Sequence, residues 1–193
     1  TRIMHTTDTD IDAQLTALEE VLGTGFRDRA LLTSAITHRS FLNENRHANW
    51  DHNERLEFLG DAVLELVVTH ALFQNYPKKP EGELTAIRAA LVNTAALAAA
   101  AERIDLNGFL LFSKGEAKDT GRARQYILAN ALEALIGALY LDQGYESAAA
   151  FIRSHLLART EEVVANRLWQ DPKSRFQELA QEQTSITPTY TLL

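Results

Sequence analysis

Only four prolines and nine glycines interrupt a chain of 193 residues, and the long intervals between them are rich in Ala, Leu and Glu. Proline breaks an inner helical turn and glycine weakens one, so their scarcity leaves the helix as the natural element almost everywhere. That composition favours helices. Apolar residues at Leu15, Leu18, Val21 and Leu22 predict a helix over Asp12–Leu22, stopped by Gly23 and Gly25. A short helix over Arg29–Thr37, a polar loop over 43–52 and a long apolar helix over Asn53–Tyr76, ended by Pro77, follow from the same reading. After a polar turn over Lys78–Gly82, helices are predicted over Glu83–Val92, Thr94–Ile104, Tyr126–Leu141 and Ser147–Asn166. Between Leu106 and Gln125 lies an irregular stretch carrying Lys114, Lys118, Arg122 and Arg124. Beyond Asp171-Pro172 the pattern reads as a helix over Lys173–Gln183, a loop with Pro188 and a β-prone run Thr189–Leu193. That tail is shorter than the roughly 40 residues that fold without staples, so it reads as the start of a second domain.

Composition narrows the class. Hydrophobic residues at 46% and charged residues at 23% suit a globular core and exclude a disordered or collagen-like chain. The absence of cysteine excludes disulfide frameworks and thiolate zinc sites, and a reducing, cytoplasmic setting is expected. No apolar run approaches the roughly 18–20 residues of a membrane span, so no membrane partner is expected. A net charge of −7 argues against a broad basic face coating nucleic acid, but not against a local grip on a duplex.

The chemistry is carried by acids set inside apolar helices. Glu54, Glu57 and Asp61 are spaced at i, i+3 and i+7, which puts them within a sector of roughly 60° on one helix face. Gly60, mid-helix beside them, costs helix stability and implies that something packs closely there. In the second apolar helix Asn130 and Glu133 are the only strongly polar side chains between Ile127 and Asp142. Two readings fit this pattern. Carboxylates turned inward need their desolvation offset, which a hard divalent ion bound only by oxygen would do. The other reading is a solvated acidic face on the first helix and a helix–helix hydrogen bond at Asn130 and Glu133.

The run Asn53-Glu54-Arg55-Leu56-Glu57-Phe58-Leu59-Gly60-Asp61-Ala62-Val63-Leu64 resembles the signature of the ribonuclease III family of double-stranded-RNA endonucleases. Leu31-Leu32 with Thr37-His38-Arg39-Ser40 resembles the segment upstream of it, and Glu81-Gly82-Glu83-Leu84 with Arg88 and Leu91-Val92-Asn93 the segment after it. Gly115-Glu116, Ile127-Leu128-Ala129 and Glu133-Ala134-Leu135-Ile136-Gly137-Ala138 resemble the second active-site helix. Asp171-Pro172-Lys173-Ser174 with Phe176-Gln177-Glu178 looks like the opening of a double-stranded-RNA-binding domain.

The resemblance implies an N-terminal tail over 1–10, an all-helical endonuclease domain over 11–158, a helix end and linker over 159–170, and a partial RNA-binding domain over 171–193. That last unit would contribute the first helix and strand of an α+β fold. Two copies would form a homodimer through the signature helix, whose apolar excess includes Phe58. The implied reaction is hydrolysis of duplex RNA to 5′-phosphate and 3′-hydroxyl ends, as in the processing of structured precursors such as rRNA. By motif position Glu57, Asp61, Asn130 and Glu133 would hold Mg²⁺, with Mn²⁺ as a substitute. Asp61 and Glu133 would be catalytic, and Glu54 and Glu81 outer carboxylates. No small-molecule cofactor is implied.

Arg55, the one cation within the signature run, falls off the acidic face. Lys114, Arg122 and Arg124 are candidates for phosphate contacts across an A-form minor groove, and Gln177 is a further RNA contact by resemblance. On charge alone a solvated loop explains the three cations equally well, since Glu116 and Asp119 lie among them. His47 and His52 around Asp51 lack ligand spacing and read as a solvated loop. His38-Arg39 is read as capping and packing, and Glu65 as structural.

One position departs from the family. Where an aspartate is expected three residues before Glu133, this chain has Asn130. An amide oxygen can coordinate Mg²⁺ but brings no charge, so a loss of metal-dependent rate of at least roughly ten-fold is expected. Tyr126 stands where many members have serine. Two alternatives are a catalytically silent duplex-RNA-binding scaffold and a helical dimer module without an RNA role.

Overall fold

The computed structural model describes residues 8–118, 120–170 and 180–181. The order is α1 (Asp8–Leu22), α2 (Arg29–Ile36), α3 (Arg39–Glu44), α4 (Glu54–Asn75), α5 (Glu81–Val92), α6 (Thr94–Arg103), α7 (Leu106–Phe109), α8 (Arg122–Gln143), α9 (Tyr145–His155) and α10 (Thr160–Ala165). Among the described residues there is no strand. The single parallel bridge is Thr37 to Leu111. No single helix among them is long and apolar enough to cross a membrane.

α8 runs through the middle. Leu128, Leu132, Leu135, Ile136 and Ala138 are at most 1% exposed, because α2, α4, α6 and α9 pack around it. Its closest neighbour is α4, and two glycines set that distance. A Cβ on Gly60 would overlap the Glu133 carbonyl oxygen and lie 2.6 Å from its carbon and 2.9 Å from the Gly137 nitrogen. A Cβ on Gly137 would overlap the Leu56 carbonyl oxygen and lie 3.2 Å from the Gly60 nitrogen. The two helices therefore touch backbone to backbone, which only glycine permits at both positions.

Several boundaries differ from the sequence reading for identifiable reasons. α5 begins at Glu81, because Pro80 serves as its N-cap and Glu81 and Glu83 suit a helix start. The Lys78–Gly82 turn is thus shorter than expected. α8 begins at Arg122, one turn before Tyr126, with exposed polar residues that an apolar pattern does not register. Residues 39–44 form α3, capped by His38, whose side chain accepts from the Ser40 N–H. The helix expected over Ser147–Asn166 breaks after His155, whose carbonyl accepts from Arg103 at 2.6 Å; a short 3-10 turn (Leu157–Arg159) then leads into α10. Leu106–Phe109 and Glu116–Lys118 give helical turns to the stretch read as irregular.

Ala180 and Gln181 are helical. The remaining tail features, including Gln177 and the strand at Thr189–Leu193, lie outside the described residues, as does most of the N-terminal tail.

Candidate active site

The site is built where α4 and α8 meet. Because Gly60 and Gly137 bring the backbones together, Glu57 and Asp61 on α4 stand next to Asn130 and Glu133 on α8. The four are near enough to act on one another. Glu133 is raised to about 7, first by burial and then by the negative charges of Asp61 and Glu57. Glu57 is also raised, by burial first and by Glu54 and Asp61, while a hydrogen bond from the Asn130 side chain partly offsets this. Asn130 thus donates its amide to Glu57, the contact an aspartate in its place could not make while ionised. The helix–helix hydrogen bond expected at Asn130 and Glu133 is made by Asn130, and its partner across the two helices is Glu57.

Glu54 opens α4. Its carboxylate meets the Arg39 guanidinium at 3.0 Å, and its backbone N–H donates to His52 Nδ1 at 3.4 Å. The platform under it is rigid. Thr37 is fully buried, its Oγ1 donates to the Thr33 carbonyl at 2.7 Å and accepts from Trp50 Nε1 at 3.1 Å, and its carbonyl accepts from the Asn53 N–H. The neighbouring His38 N–H donates to the Leu111 carbonyl at 2.8 Å. His38 is lowered by burial, against the opposing charges of Glu116 and Glu54. It caps and packs, as expected.

Glu81 is not brought into this cluster within one chain. It begins α5, on the far side of the 76–80 turn, level with the end of α4. Arg88 meets Glu65 at 2.9 Å and Thr69 at 2.8 Å, which fixes α5 antiparallel to α4. At 1.5 Å of rise per residue, Glu81 lies on the order of 15 Å or more along α4 from Asp61. The same ion pair gives Glu65 its structural role.

The cations divide. Arg124 stacks on Phe112, 4.1 Å from the ring centroid, and donates to the Glu116 carbonyl at 2.7 Å. These contacts tie it to the 113–118 turn. Lys114 and Arg122 are exposed. Arg39, read from sequence as a packing residue, instead stands at the edge of the acid cluster. Gly137 was also missed, although its place four residues after Glu133 parallels Gly60 three residues after Glu57.

Oxygen donors alone, repelling one another and half-buried, suit a hard divalent cation, whose charge would relieve the strain that raises Glu57 and Glu133. As the side chains stand, no three Asp, Glu or His residues among the described residues enclose a point where an ion could sit. The cluster is one of proximity rather than a closed coordination shell, and the donor chemistry fits the group.

Comparison with known proteins bears on the family and the fold. Residues 28–160 match the family model described as Ribonuclease-III-like. A Ribonuclease 3 from Pelotomaculum thermopropionicum is 45% identical over 184 residues, 95% of this chain and 76% of that one. Another from Chloroflexus aurantiacus is 46% identical over 93% of this chain and 73% of its own length. The nuclease domain of a ribonuclease III from Campylobacter jejuni superposes with a TM-score of 0.64 at 43% identity, over 75% of this chain and 94% of that one. That structure is described as flexible in a region involved in dimer formation. Dicer from Giardia intestinalis shares the fold, with a TM-score of 0.60 at 21% identity, over 81% of this chain and 20% of that one.

Proposed function

The chain belongs to the ribonuclease III family of double-stranded-RNA endonucleases, and from that premise we propose that it hydrolyses duplex RNA with Mg²⁺ at the α4–α8 acid cluster. The observation that supports this reading is the Gly60–Gly137 backbone contact, beside which the Glu133 carboxyl feels the charges of Asp61 and Glu57. Glu57, Asp61 and Glu133 would hold the ion, with Asn130 offering an amide oxygen. When bound, such an ion supplies an acidified water and neutralises charge on the phosphate. The chain's own contribution is placement. The glycine contact fixes the separation of the two acid pairs, and the desolvated setting makes their charges count for more than in water. The products would carry 5′-phosphate and 3′-hydroxyl ends, with structured precursors such as rRNA as substrates in the cytoplasm. Residues 11–158 would form the nuclease domain and 171–193 the start of an RNA-binding domain.

We place the subunit interface of a homodimer on α4. Phe58 is 82% exposed, Phe73 71% and Leu66 58%, and the three share one face of that helix. Beside Phe58 opens a cleft of about 700 Å³ lined by Leu31, Leu59 and Leu141 together with Asp51, His52, Glu54 and Arg55. Aromatic side chains so exposed at the rim of an apolar cleft mark an interaction surface rather than a solvated one. Glu81, remote from the acids of its own chain, sits at the end of this same helix pair.

Asn130 supports a second reading. Its hydrogen bond to Glu57 satisfies that carboxylate without a metal, as a silent RNA-binding scaffold would require. Incubating the protein with long duplex RNA and Mg²⁺ or Mn²⁺, beside Asn130→Asp, separates the two. Slow cleavage that rises about ten-fold or more with Asp supports the enzyme. Binding without cleavage by either form supports the scaffold, and no binding overturns both.

A further inference from the structure

Arg39 begins α3 beside the first turn of α4, where its Nη1 meets Glu54 Oε1 at 3.0 Å. Both sides of this meeting are anchored. The His38 cap fixes the start of α3, and Ser40 Oγ, bonded to His38 Nδ1 at 2.8 Å, accepts the Ser113 N–H at 3.0 Å. On the α4 side, the Asn53 N–H is tied to the buried Thr37 carbonyl at 2.9 Å. The pair itself stays wet, with the Arg39 side chain 63% exposed and the Glu54 side chain 45% exposed. So exposed an ion pair contributes little to stability, and holding the fold together does not account for it.

The remaining chemistry of the pair points outward. A guanidinium carries five N–H donors in a planar fork, and one carboxylate occupies at most two of them. The others are open to solvent one helical turn from Glu57. An RNA strand presenting a phosphate to Glu57, Asp61 and Glu133 must bring its polyanionic backbone past Glu54 as well, on a chain of net charge −7. A cation held at that rim lowers the repulsion where it is greatest, and a planar fork suits a phosphate's paired oxygens. With Arg124 held by Phe112 and the Glu116 carbonyl and Arg88 held by Glu65 further along α4, Arg39 is the guanidinium that meets the acids at the start of α4.

We propose that Arg39 binds a phosphate of the RNA strand entering the acid cluster, and that Glu54 is the positioning residue that aims it. The inference rests on the nuclease reading above and gives Glu54 a task other than holding metal.

The test measures binding of labelled duplex RNA to the full chain by fluorescence anisotropy, in EDTA to prevent cleavage, across a KCl series. Arg39→Gln is expected to weaken binding about three- to ten-fold and to lower the salt slope by about one per bound site. Arg39→Lys keeps the slope. Glu54→Gln also keeps it, with a smaller loss of affinity. If Arg39→Gln and Glu54→Gln cause the same loss at unchanged slope, or Arg39→Gln binds like the wild type, the proposal is overturned. Because Arg39→Gln could fail to fold, the wild-type protein is also treated with phenylglyoxal with and without RNA. Shielding of Arg39, with Arg153 on α9 unshielded, supports the contact, and equal modification of Arg39 under both conditions overturns it. A wild-type chain that does not bind duplex RNA overturns the nuclease reading and this one with it; binding with an indifferent Arg39 overturns this one alone.

Discussion

Glu133 stands at the midpoint of its titration at neutral pH, raised to about 7 by burial and then by Asp61 and Glu57. In the unfolded chain the same carboxyl would titrate near 4.5. Between these values the folded state holds more protons than the unfolded one, so stability falls as pH rises from about 4.5 to about 7. Glu133→Gln removes that dependence. Discounted for solvent screening, the metal-free variant is expected to gain on the order of 1–2 kcal/mol over wild type at pH 8 and little at pH 4. Urea titrations at the two pH values check this, and an equal difference at both contradicts it. The same variant is expected to lose cleavage by at least about 100-fold, since its amide gives up the charge that would hold the ion.

Asp142 works in the opposite sense. Burial alone would raise it, but the N–H groups of Asp28 at 2.8 Å and Arg27 at 3.1 Å, with help from Gln143 and the Arg27 charge, hold it below the ordinary carboxylate value. Its contribution is present above about 3.8 and disappears as pH falls through the lowered folded value. Asp142→Ala is expected to cost about 2–3 kcal/mol at pH 7, measured by urea unfolding, because it strands two backbone donors. Stability equal to wild type at pH 7 contradicts this role.

Between elements the account depends on how closely α4 and α8 approach. Gly60→Ala or Gly137→Ala forces a methyl group into a carbonyl of the facing helix. Backbone cannot move aside as a side chain can, so each is expected to destabilise by about 3 kcal/mol or more and to abolish cleavage. A variant with native stability would mean that the helices do not touch there.

How far this arrangement was legible from sequence follows from what each signal measures. Gly60 announced a close approach, because a glycine inside a strong helical pattern needs a packing reason. The acidic face of α4 was legible because spacing fixes angle on a helix. The partner of that face came only with the family resemblance, since angle on one helix says nothing about which neighbour it meets, and Gly137 became meaningful only beside Leu56. Arg39 was read as a packing residue because its role depends on Glu54, fifteen positions away across a loop. Arg124 is a different case. As a charge in a loop it suggested RNA, whereas Phe112 turns it inward to serve the fold. The starts of α5 and α8 were misjudged because their first turns are polar and exposed, and so carry no apolar period.

For the whole molecule, the exposed face of α4 is the proposed subunit interface. Phe58 lies at the edge of an apolar cleft and is itself 82% exposed, so a solitary subunit would leave a large aromatic surface in water. Phe58→Asp is expected to convert a dimer to monomers in sedimentation velocity, with helical content unchanged. A wild-type chain that sediments as a monomer at micromolar concentration contradicts the interface.

The central claim is that side chains from two helices, joined at a pair of glycines, together hold a divalent cation. Anomalous diffraction from crystals soaked in Mn²⁺ tests it most directly. A peak is expected between α4 and α8 within coordination distance of Glu57, Asp61 and Glu133, absent from Glu133→Gln crystals. Ordered carboxylates at those positions without a peak, or a peak only at sites elsewhere, would contradict it.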